Sequence, residues 1–170
     1  MDLARYIRNI PDFPCPGVLF RDITPLLKDD TAFKAAINEF VTRYKGKPVD
    51  LVAAIESRGF IFGSALAYAL GIGFVPIRKS GKLPWATLQM EYELEYGTAK
   101  LEIHKDAFKP GDSVLVIDDV IATGGSLEAS CKLVESLGAK VFEVAVLIEL
   151  TALGGRERLK GYNLFSIIKF

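Results

Sequence analysis

Two adjacent carboxylates, Asp118 and Asp119, and a turn with paired glycines, Gly124 and Gly125, are the residues of this chain best suited to chemistry. They lie within Val114 to Ser126, which reads VLVIDDVIATGGS. Ionised carboxylates only accept hydrogen bonds, which suits them to the two hydroxyls of a vicinal diol. The glycines allow close backbone approach, and amides that open a following helix point at an incoming anion. Thr123 and Ser126 add hydroxyls beside them. A site for a diol and a phosphate at one strand end is a site for a ribose 5-phosphate. No G-x-x-x-x-G-K-S/T loop occurs, and no G-x-G-x-x-G opens a helix after a strand, so the common nucleotide-binding loops are absent.

The apolar run Val114 to Ile117 has the character of a buried parallel strand that ends in the acid pair, and Leu127 to Leu137 that of an amphipathic helix. The same alternation recurs along the chain. Leu51 to Ile55 predicts a strand, Phe60 to Leu70 a helix, Phe74 to Ile77 a strand, and Val141 to Ile148 another. Strand–helix–strand order argues for a parallel sheet with helices on both faces, whose ligands collect outside the carboxyl ends of the strands. Between two such units, Arg78 to Lys109 is polar and lacks helical periodicity. Its parts Thr87 to Tyr92 and Ala99 to Ile103 predict a hairpin turning near Tyr96 and Gly97, a candidate lid. At the amino end a short helix is expected over Asp2 to Asn9. An extended segment follows through Pro11, Pro14 and Pro16, then a helix over Thr31 to Tyr44 capped by Asp29 or Asp30. A short helical stretch, Gly155 to Leu159, and a strand, Leu164 to Ile168, close the chain.

Two further strand ends deliver cations. Glu56-Ser57-Arg58-Gly59 follows the first core strand, and Arg78-Lys79 with Lys82 follows the second. The planar fork of arginine binds phosphate oxygens in pairs, and Gly59 allows an unusual backbone turn beside it. By themselves Arg78, Lys79 and Lys82 read as an ordinary solvated face; beside the ribose loop they read as partners for a pyrophosphate.

Length and composition narrow the function classes. At 170 residues the chain suits one domain, and half its residues are hydrophobic. Its 21 basic residues balance 21 acidic ones, so no net charge draws it to nucleic acid. Cys15 and Cys131 are too few for a disulfide framework, and no secretory signal opens the chain, which predicts reduced thiols in a cytoplasmic protein. His104 is the only histidine and has no Cys or His cluster near it, which speaks against zinc. Gly59 to Ile77 carries no formal charge, but Gly71, Gly73 and Pro76 break it, so a buried helix and strand are expected rather than a membrane span.

The run VIDDVIATGGS resembles the phosphoribosyl pyrophosphate (PRPP) motif of the type I phosphoribosyltransferases. Four further segments narrow the resemblance to the adenine-specific family: FPCPGVLFRDITPLLKD (Phe13 to Asp29), IESRGFIFG (Ile55 to Gly63), VPIRKSGKLP (Val75 to Pro84) and LEYGTAKLEIHKDA (Leu94 to Ala107). The resemblance implies an α/β fold with a central, mostly parallel sheet flanked by helices. It also implies a single domain over residues 1–170, with a small hood at 1–30 and a flexible hairpin lid at 80–98.

It further implies roles. Asp118 and Asp119 would hold the ribose, and Ala122, Thr123, Gly124, Gly125 and Ser126 the 5-phosphate. Ser57, Arg58 and Lys79 would meet pyrophosphate. Phe20 would stack on adenine while the main chain of Leu19 and Arg21 reads its edge, and Glu95, with Arg58, would be catalytic. Magnesium is expected to be held through PRPP rather than by the protein directly. The implied molecules are adenine, PRPP, AMP and pyrophosphate, in a homodimer that binds neither nucleic acid nor membrane. The family often holds the peptide at Glu56–Ser57 cis. Ser126 stands where many relatives have threonine, and Trp85 has no clear counterpart. A sister enzyme for hypoxanthine, guanine or xanthine is the alternative, and a regulator that keeps the PRPP site is a more distant one.

Overall fold

The structure, a computed structural model, describes residues 1–94 and 97–170. They fall into two compact units, Met1–Arg43 and Tyr44–Phe170.

The first unit opens on a 3-10 turn, Leu3–Tyr6, that Asp2 caps through the Ala4 amide. A helix over Asp2 to Asn9 is not formed. The chain instead turns extended at Ile7, and β1 (Arg8–Pro11) pairs antiparallel with β2 (Leu19–Asp22). Ladder pairing with β2 outweighs four residues' worth of helical spacing, a length at which isolated helix is marginal. Pro11 closes β1 opposite Leu19, the segment between the strands carries Pro14 and Pro16, and the Phe13–Pro14 peptide is cis. After α1 (Thr24–Lys28) comes α2 (Asp30–Tyr44), where Asp29 Oδ1 accepts the Ala32 amide at 2.8 Å as the expected cap.

The second unit is built on one seven-stranded sheet. Its strands are β3 (Leu51–Ile55), β4 (Gly73–Lys79), β5 (Thr87–Glu93), β6 (Thr98–His104), β7 (Ser113–Ile121), β8 (Lys140–Glu149) and β9 (Leu164–Lys169). Helices α3 (Arg58–Leu70), α4 (Gly125–Ser136) and the short α5 (Gly155–Arg158) connect them. Across the sheet the order is β5-β6-β4-β3-β7-β8-β9. The strands β4, β3, β7, β8 and β9 run parallel, and the hairpin β5–β6 adds antiparallel at β4. The central strands are sealed on both faces, with Val52 to Ala54, Val114 to Ile117 and Val144 to Ile148 buried, as a parallel sheet requires. Helix α3 packs close. A Cβ at Gly63 would fall 2.6 Å from that of Ala54, so only glycine lets the helix backbone approach β3 this closely.

From β3 the chain steps to β4 on one side, then returns to place β7 on the other side of β3. The strand order therefore reverses between β3 and β7, and the crevice beyond their carboxyl ends is where an open α/β sheet takes a ligand. Among the described residues, no helix is long and apolar enough to cross a membrane.

The two thiols differ in surroundings. Cys15 is exposed, whereas Cys131 lies inside α4, where burial pushes its pKa up to about 12 and keeps it a neutral thiol. A disulfide-exchange reagent at pH 8 is therefore expected to titrate one thiol in the native protein and two after denaturation. Two fast native thiols would contradict this placement.

Candidate active site

The acid pair sits farther inside the sheet than its sequence suggests. The apolar run predicts a strand that stops at Ile117, but β7 continues through Asp118 and Asp119 to Ile121. Hydrogen bonding to β8 carries it on, with Asp118 opposite Val146 and Val120 opposite Ile148. Both carboxylates are consequently buried, Asp118 at 9% exposure and Asp119 at 4%. The loop after the strand then shortens to Ala122, Thr123 and Gly124.

Two buried carboxylates on consecutive residues need compensation. Arg58 supplies it to Asp119 through its Nε–H, bringing the starts of α3 and the end of β7 together. Asp118 has a different environment: its Oδ1 accepts the Asp119 backbone amide at 2.8 Å. Burial first, and then the charge of Asp119, holds the Asp118 carboxyl well above the usual carboxylate range, against the opposing pull of Arg58. Tyr92 on β5 is raised as well, by burial and by the nearby charge of Asp118.

Gly59 permits this arrangement, though not by an unusual turn. It is an ordinary residue in the first turn of α3, outside the residues with positive φ. What it provides is space, since a Cβ there would fall 2.9 Å from Asp118 Oδ1 and 3.1 Å from the Ile117 carbonyl. The Glu56–Ser57 peptide just before it is cis. Ser57 and Arg58 are both exposed on their solvent side at this strand end, and Glu56 is paired with Arg78 across β3 and β4. Lys79 ends β4 at the same edge of the sheet.

The glycine turn behaves as its composition predicts. Gly124 adopts φ +86°, open to glycine and strained for other residues, and α4 begins at Gly125. Ala122 and Ser126 are half-buried and Thr123 is exposed. The contacts around this turn come from segments remote in the chain. A Cβ at Gly124 would fall 3.0 Å from the Gly155 carbonyl, and one at Gly125 would fall 3.2 Å from the Glu93 carbonyl and 3.4 Å from the Tyr92 ring. The turn is therefore walled by α5 and by the end of β5. Glu128, in the first turn of α4, bonds Lys132 at 2.8 Å and Arg158 at 2.7 Å, and these two cations hold its carboxyl below the usual range. Arg158 and Gly155 have no recognisable motif of their own, and only the fold brings them to this turn.

Leu19, Phe20 and Arg21 belong to the other unit, on β2. Phe20 stands opposite Ile10, and its ring meets Phe13 edge-to-face with centroids 5.1 Å apart. Arg21 bonds the side-chain oxygen of Asn9. Glu95 lies outside the described residues.

Comparison with known proteins shows the family. The family model described as "Phosphoribosyl transferase domain" matches residues 26–170. The adenine phosphoribosyltransferase of Roseiflexus sp. is 60% identical over 169 residues, which is 99% of this chain and 98% of that protein. The chain belongs to the adenine phosphoribosyltransferase family. Solved structures of such enzymes share its fold. That from Thermoanaerobacter pseudethanolicus is 56% identical, with a TM-score of 0.97 over 99% of this chain and 98% of the other. The Saccharomyces cerevisiae enzyme, solved with an imino-altritol bisphosphate and adenine, is 39% identical, with a TM-score of 0.92 over 98% and 96%. The expected α/β fold with a mostly parallel central sheet is the one observed.

The close approach at Gly59 yields a stability prediction. Gly59→Ala forces Asp118 or the helix start to move, and is expected to cost about 1–3 kcal/mol in urea unfolding. An unchanged midpoint would mean that α3 is not held this near the acid pair.

Proposed function

We propose that the chain transfers the 5-phosphoribosyl group from PRPP to adenine, giving AMP and pyrophosphate in purine salvage. The observation that carries this reading is the buried acid pair of β7 at the strand-order reversal, paired to Arg58 and followed by the glycine turn, in a chain 60% identical over nearly its whole length to an adenine phosphoribosyltransferase.

In the reaction the bond from the anomeric carbon to pyrophosphate breaks, the bond to the adenine nitrogen forms, and that nitrogen loses its proton. Positive charge gathers on the ribosyl group as negative charge gathers on the leaving pyrophosphate. Asp118 and Asp119 hold the ribose hydroxyls, and the negative charge kept on the pair, on Asp119 first, favours the ribosyl cation. Asp119 is the partner of Arg58 before substrate arrives, so the guanidinium is already oriented when a phosphate enters. Ser57, Arg58 and Lys79 take the pyrophosphate oxygens. Ala122 to Ser126 take the 5-phosphate, with the amides that open α4 pointing at it.

For the base, Phe20 provides a flat apolar face, with Phe13 bracing its edge. The main chain of Leu19 and Arg21 distinguishes an amino group from a keto oxygen by donor and acceptor pattern. Glu95 receives and returns the proton of the base, a role that rests on the family resemblance of LEYG.

Among the described residues no three carboxylate, thiol or imidazole groups gather into a metal site. Magnesium, which dehydrates reluctantly, is expected to be carried on PRPP oxygens and water rather than on side chains of this protein. Magnesium, when bound, neutralises pyrophosphate charge. The segment 80–98 serves as the lid that keeps water from the ribosyl cation. The enzyme works as a homodimer in the cytoplasm.

Incubation with PRPP, magnesium and a mixture of adenine, hypoxanthine, guanine and xanthine is expected to yield AMP as the dominant nucleotide. Predominance of another nucleotide would reassign the base, and no nucleotide at all would remove the reaction. Arg58→Ala removes a charge-assisted contact of about 1.5–3 kcal/mol, so kcat/KM for PRPP should fall by roughly 10- to 150-fold. Steady-state kinetics with an unchanged value would take Arg58 out of the site.

A further inference from the structure

Glu102 is a buried carboxylate, 2% exposed, that none of the roles above uses. It lies on β6 opposite Gln89 of β5 and opposite Arg78 of β4, so the three residues form one polar row across the sheet. Of the residues facing the other way on the same strands, Leu101 belongs to the apolar core and Met90 packs against it, and Lys79 is their neighbour in that second row.

The carboxylate of Glu102 is fully engaged. Its Oε1 accepts the backbone amides of Lys82 at 3.0 Å and Leu83 at 2.8 Å, and its Oε2 accepts the Gln89 side-chain amide at 3.1 Å. Burial alone would raise its pKa, but hydrogen bonds from Leu83, Gly81, Gln89 and Lys82 bring it below the usual value, so it is held ionised. The amides it binds belong to a tight turn. The Lys82 amide also reaches the Lys79 carbonyl at 3.3 Å, and Gly81 has φ +86°. From the opposite side Arg78 Nη1 donates to the Lys82 carbonyl at 3.4 Å while its Nε–H bonds Glu56, the residue before Ser57 and Arg58. A turn gripped at its amides by one buried anion has little freedom, and the turn carries a lysine at each end.

We infer that Glu102 is a positioning residue for pyrophosphate: by gripping the Lys79–Lys82 turn through its backbone, it aims the ammonium groups of Lys79 and Lys82 at the leaving group. The inference rests on the phosphoribosyl transfer proposed above. A glutamine at this position keeps the size and one acceptor, but presents an amide donor to the Gln89 donor, so the grip loosens.

Steady-state kinetics on Glu102→Gln, normalised to folded protein by circular dichroism, is the test. The KM for PRPP is expected to rise about tenfold while the KM for adenine stays within about twofold. In a Lys79→Ala/Lys82→Ala background the same substitution is expected to add nothing, because the groups it aims are gone. An unchanged PRPP KM, equal rises in both KM values, or an undiminished effect in the double-alanine background would overturn the inference. Should Glu102→Gln fail to fold, Gln89→Leu removes a single partner of the carboxylate and is expected to show the same split at smaller size, with an unchanged PRPP KM overturning the inference. If the parent protein forms no AMP, the underlying reaction fails instead, which keeps the two outcomes separate.

Discussion

Burial of two ionisable carboxylates on consecutive residues is the constraint around which the catalytic unit is arranged. Asp118 and Asp119 lie inside a nine-residue strand whose preceding four residues are completely shielded from water. Carboxylates so placed lose several kcal/mol of hydration unless partners replace it. The nearest cation, Arg58, comes from the first turn of α3, and it can reach Asp119 only if that helix starts almost on top of β7. Gly59 makes the start possible, and Gly63, one turn later, lets the rest of the helix settle on Ala54 and Ile117. Charge at the site and packing in the core are thus met by the same helix.

Much of this was legible in the sequence because it rests on local periodicity. The apolar runs at Leu51, Phe74 and Val141 became strands, and the stripes at Thr31, Phe60 and Leu127 became helices, each within a few residues of the expected ends. Where the reading missed, a distant partner decided the conformation. Arg8–Pro11 became a strand because Leu19–Asp22 pairs with it, and nothing in the first ten residues announces that pairing. The acid pair looked like the end of a strand because charge usually marks a boundary, yet β8 carries the ladder past it. Gly59 looked like a turn residue, since sequence reveals that a side chain is missing but not which atom needs the room.

The site residues divide the same way. Asp118, Asp119, Arg58 and the glycine turn stand out because each lies in a short run that follows an apolar strand. Glu102, Gly155 and Arg158 do not, because their meaning comes from residues 20 to 33 positions away: Glu102 binds Lys82, Arg158 binds Glu128, and Gly155 approaches Ala122 and Gly124. Glu102 in particular sits among Glu91, Glu93 and Lys100 in a stretch that reads as solvated surface. Register across β4, β5 and β6, which composition does not specify, turns it into a buried anchor.

Net charge gives a poor account of the electrostatics that result. The whole chain is neutral, with 21 charges of each sign, yet around the strand ends the charges are separated into short-range pairs with defined partners. Interactions between exposed charges fade over about 10 Å in ordinary salt, so such pairs act locally and leave no field at a distance. Glu128 illustrates the consequence. A carboxylate in the first turn of α4 would favour the helix but oppose an anion at its amides. Lys132 and Arg158 both bind it, so the helix keeps its acidic first turn while the charge facing the glycine turn is offset. The neighbourhood of that turn therefore depends less on the number of cations in the chain than on which carboxylates already hold them.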